Sequence, residues 1–380
     1  MKITISVGGR MHAFYLAKYF QDKGYLHQLV TSYPKFETTK YGLETKNVTS
    51  IVSKEVLCRG WQKITGKVYF GTFFCDYFDK IAAYRMPMDS DIYVIWSGYA
   101  LYSIQRIRKY NPKAIILLER GSTHILEQDE LLKEHSNDSS ILSDMIEKEL
   151  KEYEATDIIS TISLFAKSSF LKYGFQEEKI FVNNMGVDLK EFPFIDRKIK
   201  NTDEPFVVGY VGVMNKRKNI QGLIKAVEAL VQKKCMIKLL LVGGIDATSF
   251  DTKLLNKDFI IYHPSMLQSE LYKVYAQMEV FVLNSIEDGF GLVLLQAMST
   301  GLPIIATTNT GAPDIVQEGK NGFVIPINDD RALADKILFC YQNRQKTNEM
   351  GINARNTASN GFSWNDYGQR YVSFLKQLKK

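Results

Sequence analysis

The 380-residue chain has only four cysteines and nine prolines, and it has no long apolar run. The cysteines are scattered without a Cys-x-x-Cys pair, which argues against a zinc site or a disulfide framework and favours a reducing compartment. No stretch approaches the roughly 20 apolar residues that a membrane-spanning helix needs. The apolar residues 1–7 are followed at once by two glycines, which is too short a segment for a signal peptide. We therefore expect a soluble, cytoplasmic protein.

The net charge of +6 is spread unevenly along the chain. Residues 1–120 hold 18 Lys/Arg against 9 Asp/Glu, whereas residues 121–195 hold 7 against 15. The basic first segment is compatible with contact to acidic lipid or to a phosphate-bearing substrate, and equally with ordinary charge scatter. No basic-aromatic motif accompanies the charge, so we expect no nucleic-acid partner.

Short apolar strands alternate with longer helical patterns from one end of the chain to the other, which predicts an α/β fold with parallel sheets. Because 380 residues exceed one ordinary core, we expect two domains. A polar stretch from Arg197 to Pro205 predicts the linker, so the domains are placed at residues 1–196 and 205–360. The predicted strands are 2–7, 28–32, 91–96, 114–118 and 157–161 in the first domain, and 206–211, 237–242, 259–262, 280–283 and 303–306 in the second.

One aromatic stripe has two interpretations. Its side chains recur at helical spacing, which is typical of a helix that packs on a core. The neighbouring Trp61, Lys63 and Lys67 also fit an amphipathic helix that touches a membrane. The stripe consists of Phe70, Phe73, Phe74, Tyr77, Phe78 and Ile81.

The most informative segment runs from Ser285 to Pro303 and joins a predicted strand to a predicted helix. Its backbone N–H groups at residues 289–292 lie at the positive end of that helix, where phosphate or another anion binds readily. Glycine also allows a ligand to approach the backbone closely. The residues we expect to bind the ligand here are Glu287, Asp288, Gly289, Phe290, Gly291, Leu292 and Gln296.

This segment resembles the retaining glycosyltransferase family 4, whose fold is called GT-B. The family shows an acidic residue, then Gly-Phe-Gly-Leu, then a glutamate separated from the first acid by seven residues. Asp288 and Gln296 occupy the two acidic places. Residues 184–188, 311–314 and 319–323 also agree with the family pattern, and the resemblance covers essentially the whole chain. It is densest in residues 180–330.

The resemblance implies that Asp288 contacts the donor sugar, with Glu287 sharing that task, and that Gln296 holds the nucleotide ribose. Gln296 replaces the usual glutamate but can still donate and accept hydrogen bonds. Asp288 could instead be only the cap of the following helix.

A second cluster, Gly212 to Asn219, also follows a strand and precedes a helix. The family has an arginine after that glycine and a lysine five residues on, both touching the diphosphate. Lys218 matches the lysine, but Val213 stands in the arginine position, so we expect Arg217 to supply the missing cation. The alternative is a solvated basic run at a helix start.

Two segments of the first domain are also candidates. The loop with Gly8, Gly9, Arg10 and His12 follows a strand, and it resembles the glycine loop that the family uses near donor phosphates and acceptor. It lacks the G-x-G-x-x-G spacing of a nicotinamide site. The segment 118–124 follows another strand and contains His124, which corresponds to a family histidine that contacts the donor sugar, and Glu119. Ordinary structural roles remain alternatives for these residues.

The resemblance implies a GT-B enzyme with two Rossmann-like domains facing a cleft and a C-terminal helix, 362–380, that crosses back to the first domain. It implies a hexosyltransferase-like enzyme that transfers a sugar from a nucleotide diphosphate-sugar to a glycan or lipid-linked saccharide, with retention and without metal or cofactor. His124, Asp288, Lys218 and Arg217 are then catalytic candidates. The family is thought to use the departing phosphate as the base.

Similar Glu-Arg-Gly-Ser-x-His segments occur in bacterial polysaccharide-assembly enzymes, so we expect a role in cell-surface glycan synthesis. We expect a cytoplasmic protein, with peripheral contact to the inner face of the membrane left open. The alternatives are a catalytically silent relative that binds sugar nucleotide, or a nucleotide-sugar epimerase of the same fold.

Overall fold

A computed structural model describes residues 1–66, 71–136, 141–201 and 203–378. Its first sheet has seven parallel strands in the order β3-β2-β1-β4-β5-β6-β7. The strands are β1 (Ile3–Val7), β2 (Leu26–Thr31), β3 (Val48–Ser50), β4 (Ile92–Trp96), β5 (Ile115–Arg120), β6 (Ile158–Thr161) and β7 (Ile180–Val182).

The second sheet has six parallel strands in the order β10-β9-β8-β11-β12-β13. They are β8 (Phe206–Val211), β9 (Ile237–Val242), β10 (Ile260–His263), β11 (Val280–Leu283), β12 (Ile304–Thr307) and β13 (Gly322–Ile325). The two sheets confirm the predicted α/β class with parallel sheets in two halves of the chain.

Helices connect the strands, as parallel pairing requires. The first half contains α1 (Ala13–Asp22), α2 (Lys35–Thr39), α3 (Val52–Thr65), α4 (Phe73–Arg85), α5 (Leu101–Tyr110), α6 (Ile125–Ser136), α7 (Ser143–Ala155) and α8 (Leu164–Lys172). The remainder contains α9 (Ile220–Gln232), α10 (Leu271–Tyr275), α11 (Leu292–Ser299), α12 (Ala312–Ile315), α13 (Asp330–Gln342), α14 (Arg344–Ser359) and α15 (Trp364–Leu378).

Most predicted strands lie where the sequence places them. The bounds of β8, β9 and β11 agree with the prediction residue for residue. The strands β3, β7 and β13 were not predicted, because each has three or four residues and lies towards one edge of its sheet. A run that short carries too little periodicity to stand out from a loop.

Both sheets reverse their strand order beside their first strand. The reversal falls between β1 and β4 in the first sheet and between β8 and β11 in the second. In open parallel sheets, ligands bind outside the carboxyl ends of the strands at such a reversal. The loops after β1, β4, β5, β8 and β11 are therefore the ones that position a site.

The predicted linker is fastened to the second domain. Met185, Val187 and Phe192 already pack in the second core, before the polar stretch begins. The Arg197 guanidinium then donates to the carbonyl oxygens of Tyr275, Met278 and Thr300 at 2.8, 3.1 and 2.5 Å, and burial lowers its pKa to about 10. The polar composition thus reflects a docked segment, within which Thr202 lies outside the described residues.

The C-terminal helix α15 packs on the first sheet rather than on the second. Tyr367, Tyr371 and Leu375 are fully buried in the core that also contains Ile5 and Phe14. These side chains recur at i, i+4 and i+8, so they form one face of the helix. Residues 379 and 380 of the predicted crossing segment lie outside the described residues.

The aromatic stripe is divided by the structure. Phe74 and Phe78 of α4 are buried, whereas Phe73 is 51% exposed. Phe70 and Lys67 of that prediction lie outside the described residues. The preceding helix α3, by contrast, has no buried residue. Within the described part of the chain, no helix has the length and apolar content to cross a bilayer.

Leu375→Ala should lower the free energy of unfolding by about 2–5 kcal/mol, because it removes a fully buried side chain that joins α15 to the first sheet. Equilibrium urea unfolding measures the change. The matched control is Lys376→Ala, next to it on the exposed face of α15, which should change stability by less than about 0.5 kcal/mol. Equal effects of the two substitutions would contradict the docking of this helix.

Candidate active site

A cavity of about 610 Å³ lies between the two domains, at the carboxyl ends of the strands. The first domain lines it with residues that follow β1, β4 and β5, and the second with residues that follow β8 and β11. Of the predicted site residues, the cavity wall includes Arg10, Arg217, Lys218, Asp288, Gly291, Leu292 and Gln296. The volume is in the range of small-molecule sites.

Lys218 and Asp288 form an ion pair in the cavity wall. The Nζ of Lys218 donates to Oδ2 of Asp288, and the two side chains are 11% and 20% exposed. The solvated alternative for Lys218 is therefore excluded. Lys218 is the last residue of a short helical turn that Asn215 caps. The Oδ1 of Asn215 accepts a hydrogen bond from the Lys218 N–H at 3.0 Å, and this bond fixes the position of the Lys218 backbone.

Burial and mutual charge set the ionisation of this pair. Burial lowers the pKa of Lys218, with Arg217 adding to the effect and Asp288 opposing it. Burial would raise the pKa of Asp288, but Lys218 and Arg217 hold it below its ordinary value. Asp288 is therefore ionised at neutral pH, and its partner is a desolvated ammonium that gains strongly from any further negative charge.

The N-terminus of α11 opens into the same cavity. Gly291 precedes the helix with φ +79°, and no side chain caps the helix. No described residue accepts a hydrogen bond from the backbone N–H of Gly291 or Leu292. Asp288 is not the cap residue, since its Oδ1 accepts only from the Phe290 N–H, at 3.4 Å. The free N–H groups and Lys218 together can hold an anion.

Gln296 lies one turn further along α11 and is nearly buried. Its Oε1 accepts a hydrogen bond from the Tyr275 hydroxyl at 3.1 Å. With the carbonyl oxygen anchored in this way, the amide nitrogen is the group available to a ligand. The glutamine can thus serve as a hydrogen-bond donor in the cavity wall.

Glu287 does not line the cavity, which corrects its expected role in sugar contact. It is fully buried between the domains. From the first domain it accepts from the Ser122 hydroxyl at 2.5 Å and from the Gln128 amide at 3.2 Å. From the second it accepts from the Arg217 guanidinium at 3.0 Å. These partners occupy both carboxylate oxygens, so Glu287 fastens one domain to the other.

Gly289 and Phe290 are not part of the cavity wall: Gly289 belongs to the domain contact and Phe290 to the core of the second domain. A Cβ on Gly289 would lie 2.6 Å from the Gly121 carbonyl oxygen, so only glycine fits there. The Gly289 carbonyl accepts from the Ser163 hydroxyl at 2.5 Å. The Phe290 ring is buried in the second core, where it lies against Gly311. Both residues position their neighbours Asp288 and Gly291.

The other predicted glycines support the backbone behind the cavity. The Gly8 carbonyl accepts from Lys54 Nζ at 2.9 Å, and its α-carbon lies against the Tyr99 ring. The Gly9 carbonyl accepts from the Thr31 hydroxyl at 2.9 Å. The backbone of Gly212, with φ +152°, passes close to that of Gly243. The Tyr210 side chain occupies the space that a Cβ on Gly212 would need. None of these three glycines lines the cavity.

The structure places His124 away from the cavity, which corrects the expectation that it opens onto the cleft. Its ring is buried among Tyr153, Phe170, Tyr173 and Phe175. Burial, with Arg120 adding to it, lowers the His124 pKa to about 4, so the ring is neutral at physiological pH. The sequence correctly predicted that this segment follows a strand, since β5 ends at Arg120. The histidine, however, points into the first domain just before α6 begins.

Several cavity residues were not predicted from the sequence. Arg120 donates to Glu149 at 3.0 Å and to Gln128 Oε1 at 2.8 Å, and Gln128 in turn contacts Glu287. This network extends the domain contact into the first core. Trp96, Ser97, Gln268 and Trp364 were also not predicted, whereas Arg120, Gly121 and Ser122 belong to the candidate segment 118–124 without having been singled out in it. Tryptophan and serine at strand ends carry no motif, so only the folded arrangement brings them together.

His12 and Glu119, the weaker candidates of the first domain, both line the cavity. The His12 Nε2 lies 3.2 Å from Glu119 Oε2, and the other Glu119 oxygen accepts from the Tyr371 hydroxyl at 2.7 Å. Both side chains are buried. Strand β5 supplies the carboxylate and the loop after β1 supplies the imidazole, so neighbouring strand ends build this pair.

The chain contains an Asp-x-Asp triplet, Asp89 to Asp91, a spacing that can ligate metal. It precedes β4, at the opposite end of the sheet from the cavity. Asp89 accepts from Lys2 Nζ at 2.7 Å, and Asp91 accepts from the Lys2 N–H at 2.6 Å. Among the residues the structure describes, no group of three or more His, Cys, Asp or Glu is arranged to hold a metal ion.

Glu287→Gln should destabilise the protein by about 1–3 kcal/mol, because the amide nitrogen cannot accept the hydrogen bonds that the lost oxygen accepts. Urea unfolding measures this, and small-angle scattering should show a larger radius of gyration as the domains separate. Glu147→Gln is the control: it removes an exposed pair with Lys151 and should cost less than about 0.5 kcal/mol. An unchanged stability and radius for Glu287→Gln would refute the domain contact.

Comparison with known proteins agrees with this geometry. The sequence profile of the family "Glycosyl transferases group 1" matches residues 191–357. The capsular polysaccharide biosynthesis glycosyltransferase CapM of Staphylococcus aureus is 30% identical over 241 residues, which are 59% of this chain and 63% of that protein. The matched segments span 57–64% of the length of the first four curated relatives.

Solved structures share the whole fold at low identity. The sucrose-phosphate synthase of Thermosynechococcus elongatus superimposes with a TM-score of 0.75 at 17% sequence identity. The superposition covers 100% of this chain and 99% of the synthase chain. Anabaena Alr3699/HepE in complex with UDP gives a TM-score of 0.71 at 17% identity, covering 99% and 100%. The chain has the GT-B fold, and its residues 191–357 are similar to the group 1 glycosyltransferases.

Proposed function

We propose that this protein is a retaining glycosyltransferase of bacterial cell-surface polysaccharide synthesis. It transfers a sugar from a nucleotide diphosphate-sugar to a glycan or lipid-linked saccharide. The observation that carries the proposal is the convergence of Lys218 and the open N-terminus of α11 on one wall of the interdomain cavity. Retention of configuration follows from the resemblance to family 4.

The chemistry of the donor explains why this wall suits it. Cleavage of the bond between the sugar and the diphosphate leaves additional negative charge on the diphosphate. A desolvated ammonium and fixed backbone N–H groups stabilise that charge more strongly in the transition state than in the bound donor. Arg217 adds a second positive charge beside them. Burial acts to lower the pKa of its guanidinium, but Glu287 and Asp288 outweigh burial and raise it.

We assign the remaining donor contacts to the second domain. We propose that the Gln296 amide meets the ribose and that Asp288 meets the donor sugar hydroxyls. The Anabaena neighbour is solved with UDP, which supports a nucleoside diphosphate as ligand of this fold. We propose that no metal or other cofactor is needed, since Lys218 and Arg217 supply the positive charge that a metal ion would otherwise bring.

The acceptor would enter from the first domain, along the wall that contains Arg10 and His12. Relatives in capsular and O-antigen chain synthesis support a saccharide acceptor. Such synthesis would place the protein in the cytoplasm, at the inner face of the membrane.

Lys218→Ala should weaken binding of the cognate nucleoside diphosphate at least about tenfold, or about 1.4 kcal/mol, and slow turnover of its sugar donor by a similar factor. Thermal-shift measurements with UDP, GDP and ADP, each with and without chelator, identify the nucleotide, and calorimetry gives the dissociation constants. Lys216→Ala is the matched control, because Lys216 does not line this cavity.

Four outcomes would count against the proposal. Stabilisation that disappears with chelator would contradict metal independence. Binding without any turnover of the cognate donor would favour a catalytically silent relative. Conversion of the donor to an epimer without acceptor would favour an epimerase of the same fold. Equal effects of Lys218→Ala and Lys216→Ala would remove Lys218 from the donor site.

We also propose that helix α3 contacts an anionic membrane surface. Val56, Leu57 and Ile64 on this helix are 64%, 43% and 85% exposed. Arg59 and Lys63, also exposed, form no ion pair with any described acidic residue. Exposed apolar side chains interleaved with cations fit the interface of a bilayer that carries acidic lipid. The sequence suggested the aromatic stripe as one candidate for this contact, and we propose the helix before it instead.

Ile64→Glu should weaken binding to phosphatidylglycerol-containing vesicles at least about fivefold, because the added negative charge alone costs about 1 kcal/mol near such a surface. Co-sedimentation with these vesicles and with neutral phosphatidylcholine vesicles measures the effect. Ile352→Glu, an exposed isoleucine on α14, is the control and should leave binding unchanged. Equal binding to both kinds of vesicle would rule out the charge-dependent contact.

A further inference from the structure

A second cavity lies beside the first, between helix α1 and residues 267–269 of the second domain, and we call it the outer cavity. Its volume is about 770 Å³, larger than that of the first cavity. The two cavities share wall residues from both domains, among them Tyr15, Gln268 and Trp364. The outer cavity is therefore a continuation of the same cleft, and a long ligand can occupy both parts.

Helix α1 supplies one wall of the outer cavity. Its residues Tyr15, Lys18, Tyr19 and Asp22 line the cavity, and they recur at i, i+3, i+4 and i+7, so they share one face of the helix. The opposite wall includes residues 267–269, which follow β10 in the second domain. A ligand in the outer cavity therefore contacts both domains.

Aromatic rings line the boundary between the two cavities. Tyr15 stacks on Trp364 of α15, with ring centroids 4.2 Å apart and planes 5° from parallel. Tyr41 meets Tyr15 at nearly a right angle, with centroids 5.1 Å apart. All three side chains are half-buried and line both cavities. Their mutual contacts fix the rings before a ligand enters, and tyrosine and tryptophan offer an apolar face beside a polar group.

The charged side chains of the outer cavity nearly cancel one another. Three basic and four acidic side chains line it. Lys18 pairs with Asp22, and Lys40 pairs with Glu37 at 2.7 Å. The wall therefore carries no excess positive charge that would attract a diphosphate. Its carboxylates and the Gln268 amide are instead groups that exchange hydrogen bonds with hydroxyls.

We propose that the outer cavity binds the inner sugars of an uncharged oligosaccharide acceptor. This inference rests on the proposed glycosyl transfer: the terminal sugar of the acceptor lies beside the donor in the first cavity, and the sugars that precede it lie in the outer cavity. A sugar ring has apolar C–H faces and hydroxyls around its edge, which match the aromatic rings and the polar groups of this wall. The protein then elongates an existing glycan rather than attaching the first sugar.

The test uses the full chain with its cognate donor and defined fragments of bacterial surface glycans as acceptors, each in a series of one to four sugars. For the series that the protein accepts, kcat/KM should rise at least about tenfold from one sugar to two or three, because the added contacts lie in the outer cavity. Fluorescence anisotropy of the labelled fragments measures their binding without transfer.

Ser269→Trp is the decisive variant, because Ser269 is exposed and lines only the outer cavity. The added ring should fill that cavity and remove most of the gain from longer acceptors. The one-sugar acceptor and the dissociation constant of the nucleoside diphosphate should stay within about twofold of the unaltered protein. Ser168→Trp, at an exposed serine of α8 that lines neither cavity, is the matched control.

A second pair of variants tests the other wall without adding bulk. Lys40→Ala removes a hydrogen-bond donor of the outer cavity and should lower kcat/KM for the longer acceptors at least about threefold. Lys35→Ala, five residues earlier at an exposed position outside both cavities, should leave it unchanged. The melting temperatures of these variants should equal that of the unaltered protein, since both lysines are exposed.

The outcomes separate this inference from the proposed function. Equal kcat/KM for one and several sugars, or donor turnover without transfer to any longer fragment, would overturn the outer cavity as an acceptor site. Weaker binding of the nucleoside diphosphate by Ser269→Trp would also overturn it and assign the cavity to the donor. A protein that binds no nucleoside diphosphate, but binds longer fragments in a way that Ser269→Trp abolishes, would refute the proposed function and keep the glycan site.

Discussion

The buried carboxylate of Glu287 is the interaction on which the arrangement of the site depends. A buried carboxylate without water must be met by hydrogen-bond donors, and here the donors come from both domains: Ser122 and Gln128 on one side, Arg217 on the other. Neither domain alone satisfies it. Because Asp288 is the next residue, fastening Glu287 also fixes Asp288 relative to the first domain, and with it the width of the cavity.

The same short segment therefore builds the domain contact and the site. Gly289 meets the Gly121 backbone so closely that a Cβ would lie 2.6 Å from the carbonyl oxygen, and two residues later Gly291 begins the open end of α11. Neighbouring residues of the segment thus have different roles: Glu287 and Gly289 meet the first domain, while Asp288 and Gly291 line the cavity. A relative movement of the domains would displace the anion-binding wall by the same amount.

The sequence predicted the features that repeat or follow a motif. Parallel strands, two α/β halves, Lys218, Asp288 and the α11 N-terminus all follow from local patterns and from the family resemblance. It could not predict the direction in which a side chain points after a strand. His124 and Glu119 lie five residues apart, yet one turns into an aromatic core and the other into the cavity. Likewise, only the folded chain shows that the Glu287 carboxylate is hydrogen-bonded to residues as far as 165 positions away in the sequence.

The charges in the cavity couple the two ends of the proposed donor. Lys218 pairs with Asp288, whereas Arg217 is held by the buried Glu287. A diphosphate that reaches Lys218 competes with Asp288 for the same ammonium, and a doubly charged ligand wins that competition in a site of low polarity. The Asp288 carboxylate then lacks its ion-pair partner and needs other hydrogen-bond donors. The hydroxyls of the sugar attached to the diphosphate can be those donors. Recognition of the sugar thus becomes favourable only once the diphosphate is bound, so a free sugar would meet a carboxylate that is already satisfied.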